Sequence, residues 1–152
     1  MGSIIKGDLI TLALRGHFDI IVHGCNCFCT MGAGIARTIQ QEFPEALTAD
    51  MQTTSGDKEK LGDFSSATVT RFGHTIIIIN GYTQFAFHGR HVLVDYRAIT
   101  RLFAKLKKTY PGKRIGYPKI GAGLAGGNWT KISEIINREL HDEDHTLVLF
   151  SR

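Results

Sequence analysis

Residues 23–29, HGCNCFC, gather an imidazole, an amide side chain and all three of the chain's cysteines, and a glycine turn, MGAG, follows after Thr30. These types could ligate a metal, exchange disulfides, supply a thiol nucleophile or seat an anion. Structural zinc usually takes its ligands as C-x(2–4)-C pairs with a second cluster elsewhere. Here Cys25, Cys27 and Cys29 alternate, so an extended backbone would set them on one face, and no second cluster follows. No metal is expected. The spacing is C-x-C rather than the redox C-x-x-C, and a reducing compartment keeps thiols free, so the cysteines read as small packing residues. A nucleophilic role would require a base, and His23, two positions from Cys25, is the local candidate.

The anion reading rests on glycine. Gly32, Ala33 and Gly34 stand between an apolar run and the helical pattern GIARTIQQEF, where unpaired backbone amides at a helix start can hold phosphate. A second loop of this kind, PKIGAGLAGGNW, follows RIGY and leads into WTKISEIINREL. Two glycine-rich strand-to-helix loops meeting at one sheet edge could enclose a diphosphate. Near the start, KGDL places Asp8 after the first apolar run. Its carboxylate could accept from an exocyclic amine, or simply close an Asx-turn or cap a helix.

These loops need elements to hold them. SIIK, DIIVHGC, SATVTRF, HTIIIING, RIGYPKI and HTLVLF read as strands, the long apolar ones as buried on both faces. GIARTIQQEF, DYRAITRLFAKLKKTY and WTKISEIINREL have helical spacing, with PEALTADMQTTSG a shorter candidate. Only TVTRFGHTIIII reads as a hairpin, joined by Phe72, Gly73 and His74. The order implies an α/β protein, a three-layer α/β/α sandwich around a mixed sheet. At 152 residues the chain is sized for a single domain over residues 1–152. No apolar stretch nears the ~20 residues that span a bilayer, and MGSIIKGDL lacks a signal peptide's core, so a soluble, cytoplasmic protein is expected. A net charge of +4 favours anionic partners mildly. The densest basic patch, RLFAKLKKTYPGKR, reads as a solvated helix face, which leaves polynucleotide binding a minor alternative.

KGDL, VHGCNCFCTMGAGIA and YPKIGAGLAGGNW, in this order, together resemble the macro domain family over nearly the whole chain. The resemblance implies a cleft for ADP-ribose, with Asp8 receiving the adenine amine, Leu9's backbone beside it, and Phe150 against the ring. It places the diphosphate on amides of Gly32, Ala33, Gly34 and Ile35 and of Gly121, Ala122, Gly123, Leu124, Ala125 and Gly126. Asn26 would bind the distal ribose. HGCN and GAGLAGGNW are most similar to the branch with ADP-ribose 1″-phosphate phosphatases and ADP-ribosyl-glutamate hydrolases. In that branch the histidine at His23 is tied to catalysis, so His23 and Asn26 are the catalytic candidates.

The chain departs from the glutamate hydrolases, lacking their lysine in INGYTQ and having Ala125 or Asn128 in place of an aspartate. Tyr82, with Thr83 and Gln84, would line the distal end, and His88 and Arg90 would favour an added phosphate. The leading expectation is a hydrolase of a distal-ribose substituent, above all the 1″-phosphate, acting as a monomer without a cofactor. The alternatives are a non-catalytic ADP-ribose reader and an eraser of ADP-ribose from protein or nucleic acid.

Overall fold

The computed structural model describes residues 2–89 and 92–151. Six strands form one sheet in the order β1-β6-β5-β2-β4-β3. They are β1 (Ser3–Gly7), β2 (Ile20–Cys25), β3 (Phe64–Arg71), β4 (His74–Tyr82), β5 (Ile115–Tyr117) and β6 (His145–Phe150). All neighbours run parallel except β3 with β4, so the sheet is mixed. β3 and β4 form the expected hairpin, but its loop is tighter than the sequence implied. Arg71 pairs with His74, leaving only Phe72 and Gly73 between the strands. Their φ values of 52° and 78° give the twist that a two-residue hairpin loop requires.

Helices cover both faces, giving the three layers. One face carries α1 (Leu9–Leu14), α2 (Gly34–Glu42) and α3 (Pro44–Met51), and the other α4 (Tyr96–Thr109) and α5 (Trp129–Glu139). The alternation of strand side chains sorts the core between them. Ile20, Val22, Ile79 and Leu147 pack with Ile99, Leu102 and Phe103 of α4 and Ile132 and Ile136 of α5. Ile21, Ile76, Ile78 and Val148 pack with Ile10 of α1, Ile39 of α2 and Ala46 of α3. Ala98, Ile99, Leu102, Phe103 and Leu106 of α4 are buried at helical spacing, Asp95 caps its start, and Lys107 and Lys108 sit at its carbonyl end.

Two departures concern the site. LITLAL, not read as a helix, forms α1 because the Asp8 carboxylate accepts from the amides of Ile10 and Thr11. RIGYPKI is strand only over Ile115–Tyr117, and Pro118 starts a loop. β1, apolar in sequence, is an edge strand with Ile4 67% exposed.

Candidate functional site

Parallel strands end together, so the segments after β1, β6, β5, β2 and β4 converge along one edge of the sheet, the place where open α/β sheets bind ligands. Two cavities lie there. The larger, about 520 Å³, is bounded by Gly24, Asn26, Gly32, Ala33 and Gly34 after β2 and by Gly121, Gly123, Leu124 and Ala125 after β5, with Gln84 and Phe87 beyond β4. The smaller, about 320 Å³, is lined by Asp8, Leu9, Ile10, Thr38, Val148 and Phe150. Ile35 and Pro118 line both, which makes them two chambers of one cleft.

The first glycine loop is built to approach a ligand. Ala33 is the N-cap of α2 and makes no side-chain cap bond, so the helix's opening amides lack an internal partner. Gly34, Ile35 and Ala36 of that first turn line the larger chamber. Gly34 sits at φ 60°, which favours glycine, and a Cβ on Gly32, Gly34 or Gly123 would meet nothing within 4 Å. The backbone at these positions is therefore uncovered on the side where a side chain would stand. The second loop is held by its own bonds: the Gly127 amide donates to the Gly121 carbonyl at 2.7 Å, and the Gly126 amide to that of Gly123 at 3.0 Å. The Leu93 amide ties the same loop to the chain through the Ala125 carbonyl at 2.8 Å. Ala122 and Gly126 do not line the chamber.

Among the described residues, the larger chamber is lined by a single charged residue, Lys119, and by no carboxylate or imidazole. This corrects the expectation for His23. Its side chain is 0% exposed, on the sheet face toward α3, and lines neither chamber. The imidazole Nε2 lies 2.7 Å from Asn80 Oδ1, and Asn80 Nδ2 donates to the Ala46 carbonyl and to Ser65 Oγ. Asn80 thus presents its acceptor to the ring, so Nε2–H donates. Burial lowers the His23 pKa to about 4, partly offset by the Asn80 bond, so the ring is neutral at pH 7. At this placement the ring is enclosed and uncharged at neutral pH.

Cys25 does line the chamber, and His23 and Asn80 stand behind it in a Cys-His-Asn order. The geometry is not that of an activated thiol. Sγ lies 3.6 Å from Nε2, which is committed to Asn80, and 3.8 Å from Nδ1. Burial raises the Cys25 pKa well above the ordinary thiol value, and pushes Cys27 up to about 11. The three thiols also diverge rather than share a face: Cys27 Sγ donates to the Gln84 carbonyl, and Cys29, at φ 56°, to the carbonyls of Asp50 and Thr53. Among the described residues no three His, Cys, Asp or Glu side chains gather as a metal would require.

Asn26 lines the chamber, but its donors are spent inside the loop. Nδ2 donates to the Thr30 carbonyl at 3.0 Å and to Thr30 Oγ1 at 2.9 Å, while Oδ1 accepts from the Phe28 amide. It fastens the turn. Tyr82 is a second correction. It is 1% exposed, its hydroxyl donates to Asp50 Oδ1 at 2.7 Å and lies 2.8 Å from Ser65 Oγ, and it is not among the cleft's lining residues. Its strand position turns it inward beneath the loop. Thr83 is also fully buried, with Oγ1 lacking a partner among the described residues, whereas Gln84 reaches the chamber. His88 is exposed, and Arg90 lies outside the described residues.

Sequence reasoning missed Gly24, Thr30, Ala36, Phe87, Pro118, Lys119 and Ile120 as lining residues of the larger chamber. Phe87 had a visible signal, an apolar FAF run in an otherwise polar segment.

Residues 22–136 match the macro domain family model. The chain is a macro domain. This macro domain is 38% identical over 138 residues to the uncharacterized 17.5 kDa protein in the tk-vs intergenic region of Enterobacteria phage T4, covering 88% of this chain and 86% of that one. It is 29% identical to the ADP-ribose 1″-phosphate phosphatase of Debaryomyces hansenii, covering 91% and 93%. Among solved structures, Thermosipho africanus DarTG in complex with ADP-ribose shares its fold with a TM-score of 0.75 at 16% identity, over 98% of this chain and 42% of that one. Among the macro domain's described residues, no helix is long and apolar enough to cross a membrane.

Proposed function

We propose that this macro domain binds ADP-ribose along the two-chambered cleft. The carrying observation is the pair of glycine loops after the adjacent strands β2 and β5, bounding one chamber that continues, through Ile35 and Pro118, into the chamber of Asp8 and Phe150. Adenine occupies the smaller chamber, with Asp8 accepting from its amine and Phe150 beside the ring. The diphosphate lies on the uncapped start of α2, where amides and the helix dipole offset its charge. The distal ribose rests over Gly24 and the Asn26 turn. The complex with ADP-ribose named for the Thermosipho structure supports this reading through the shared fold.

Calorimetry with ADP-ribose, ADP and adenosine tests it. Affinity should fall in that order, and equal affinity for adenosine and ADP-ribose would sink the proposal.

A second reading, hydrolysis of ADP-ribose 1″-phosphate, is favoured by the likeness to the Debaryomyces phosphatase. With His23 enclosed, the chain would contribute positioning and amide stabilisation of negative charge rather than an imidazole acid. Phosphate release from ADP-ribose 1″-phosphate decides it: turnover supports the enzyme, and binding without turnover leaves a reader.

A further inference from the structure

Beyond β4, the edge of the cleft is aromatic. Phe87 lines the larger chamber while remaining 50% exposed. A single exposed apolar side chain is ordinary on a protein surface, but this one borders the larger chamber. On the loop after β5, Leu124 lines the same chamber at 81% exposure. Two of the largest exposed apolar side chains thus face one opening from different loops.

The Phe87 ring is held in place. It meets Phe28 at 5.8 Å between centroids and 71° between planes, and His88 at 4.7 Å and 88°. Phe28 in turn meets Phe85 at 4.8 Å and 64°. All three are edge arrangements, so none of these neighbours lies parallel on Phe87. The backbone beneath is braced: the Cys27 amide donates to the Phe85 carbonyl at 2.9 Å, and Cys27 Sγ to that of Gln84. This joins the loop after β2 to the loop after β4 as one support.

The strand order locates this shelf. With adenine at the β1 and β6 ends and diphosphate over β5 and β2, a segment following β4 lies at the far end of the ligand, beyond the distal ribose.

We propose that Phe87 is a specificity-determining residue that, in the chamber it shares with Leu124, receives a planar heteroaromatic ring linked to the distal ribose. The inference rests on the ADP-ribose reading. Free dinucleotides and modified nucleobases share this chemistry, an N-glycosidic ring on ADP-ribose.

The test is calorimetry on the wild type, Phe87→Ala and Phe87→Tyr with four ligands: ADP-ribose, ADP-ribose 1″-phosphate, NAD+ and an ADP-ribosylated nucleobase. Stacking on one aromatic side chain should make loss of the Phe87 ring weaken a ring-bearing ligand about tenfold. ADP-ribose and its 1″-phosphate should weaken by a clearly smaller factor than the ring-bearing ligands, because neither presents a ring there. Phe87→Tyr should restore ring binding. Selective loss for either ring-bearing ligand supports the proposal, and the tighter of the two identifies the source. Equal losses for all four ligands, or no loss for any, would overturn it while leaving the ADP-ribose reading intact. Failure of the folded wild type to bind ADP-ribose itself would overturn both.

Discussion

His23 and Asn80 pair across the neighbouring strands β2 and β4, imidazole Nε2 to amide Oδ1 at 2.7 Å, and both side chains are fully enclosed. The pair joins the sheet to α3 through the Asn80 bond to the Ala46 carbonyl. A polar link between two layers is what this histidine supplies.

That placement has a pH signature. The folded pKa of His23 is about 4 against an ordinary 6.5, so between these values the unfolded chain binds a proton that the folded chain refuses. Stability is therefore fully present above pH 6.5 and lost as pH falls toward 4. From pH 7 to pH 5 the loss from this group should be about 2 kcal/mol. Burial lowers the His145 pKa too, which adds a loss of the same sign. Urea unfolding at both pH values, wild type against His23→Asn, checks the share: the variant should show a smaller pH dependence, and an unchanged one would refute the assignment.

Cys25 borders the chamber yet should behave as a packing residue. With its thiol held protonated by burial, alkylation of Cys25 in the native protein at pH 8 should be much slower than in urea, read by mass spectrometry. Cys25→Ser should keep ADP-ribose affinity, and any 1″-phosphate turnover, within about threefold. A complete loss of turnover with binding retained would restore the nucleophile reading.

Ala33 allows the anion site to be tested apart from the fold. As the N-cap of α2 it leaves the helix start unbonded, so Ala33→Asp should add a cap of about 1 kcal/mol, raising the melting temperature. The same carboxylate would occupy the amides and repel a diphosphate, so ADP-ribose affinity should fall at least about tenfold. Stability and affinity moving in opposite directions is the expected result. Affinity unchanged would show that the diphosphate lies elsewhere.

Much of the scaffold could be read from residue order, because β2 and β4 are continuous apolar runs and α4 and α5 carry helical spacing with Asp95 and Asn128 as caps. The glycine loops were legible as well, since Gly34 at φ 60° and Gly121 at φ 74° take conformations that favour glycine. Which face of β2 carries His23 was not, for both faces are buried and no polar alternation marks the side toward the ligand. Tyr82 failed for the same reason at the end of β4. α1 escaped because six residues, LITLAL, are too few for a period to show, although its cap, Asp8, was noticed. Phe87 lies in a loop, where periodicity says nothing.

Asp8 holds two roles that substitutions should separate. Oδ1 accepts from the amides of Ile10 and Thr11, while the carboxylate also borders the smaller chamber. Asp8→Ala should cost about 1 kcal/mol of stability and weaken binding. Asp8→Asn keeps a capping oxygen but replaces the other acceptor with a donor. It should stay near wild-type stability and lose the preference for ADP-ribose over the hypoxanthine analogue, which lacks the exocyclic amine. Retained preference would place adenine away from Asp8.

Gly24 and Thr83 close the cleft floor against each other. A Cβ on Gly24 would come 2.6 Å from Thr83 Oγ1 and 3.2 Å from Ile120 Cγ2, and that hydroxyl is buried without a hydrogen-bond partner among the described residues. Gly24→Ala alone should destabilise by about 1–3 kcal/mol through overpacking. Thr83→Ala alone should cost little of the hydroxyl's own contribution, because removing an unpaired buried polar atom lifts its desolvation penalty. The double variant should recover most of the Gly24→Ala loss, giving a coupling of about 1 kcal/mol or more in a denaturation cycle. Additive losses would mean that the floor yields at Ile120 instead, and that Thr83 does not set how closely a ligand can approach β2.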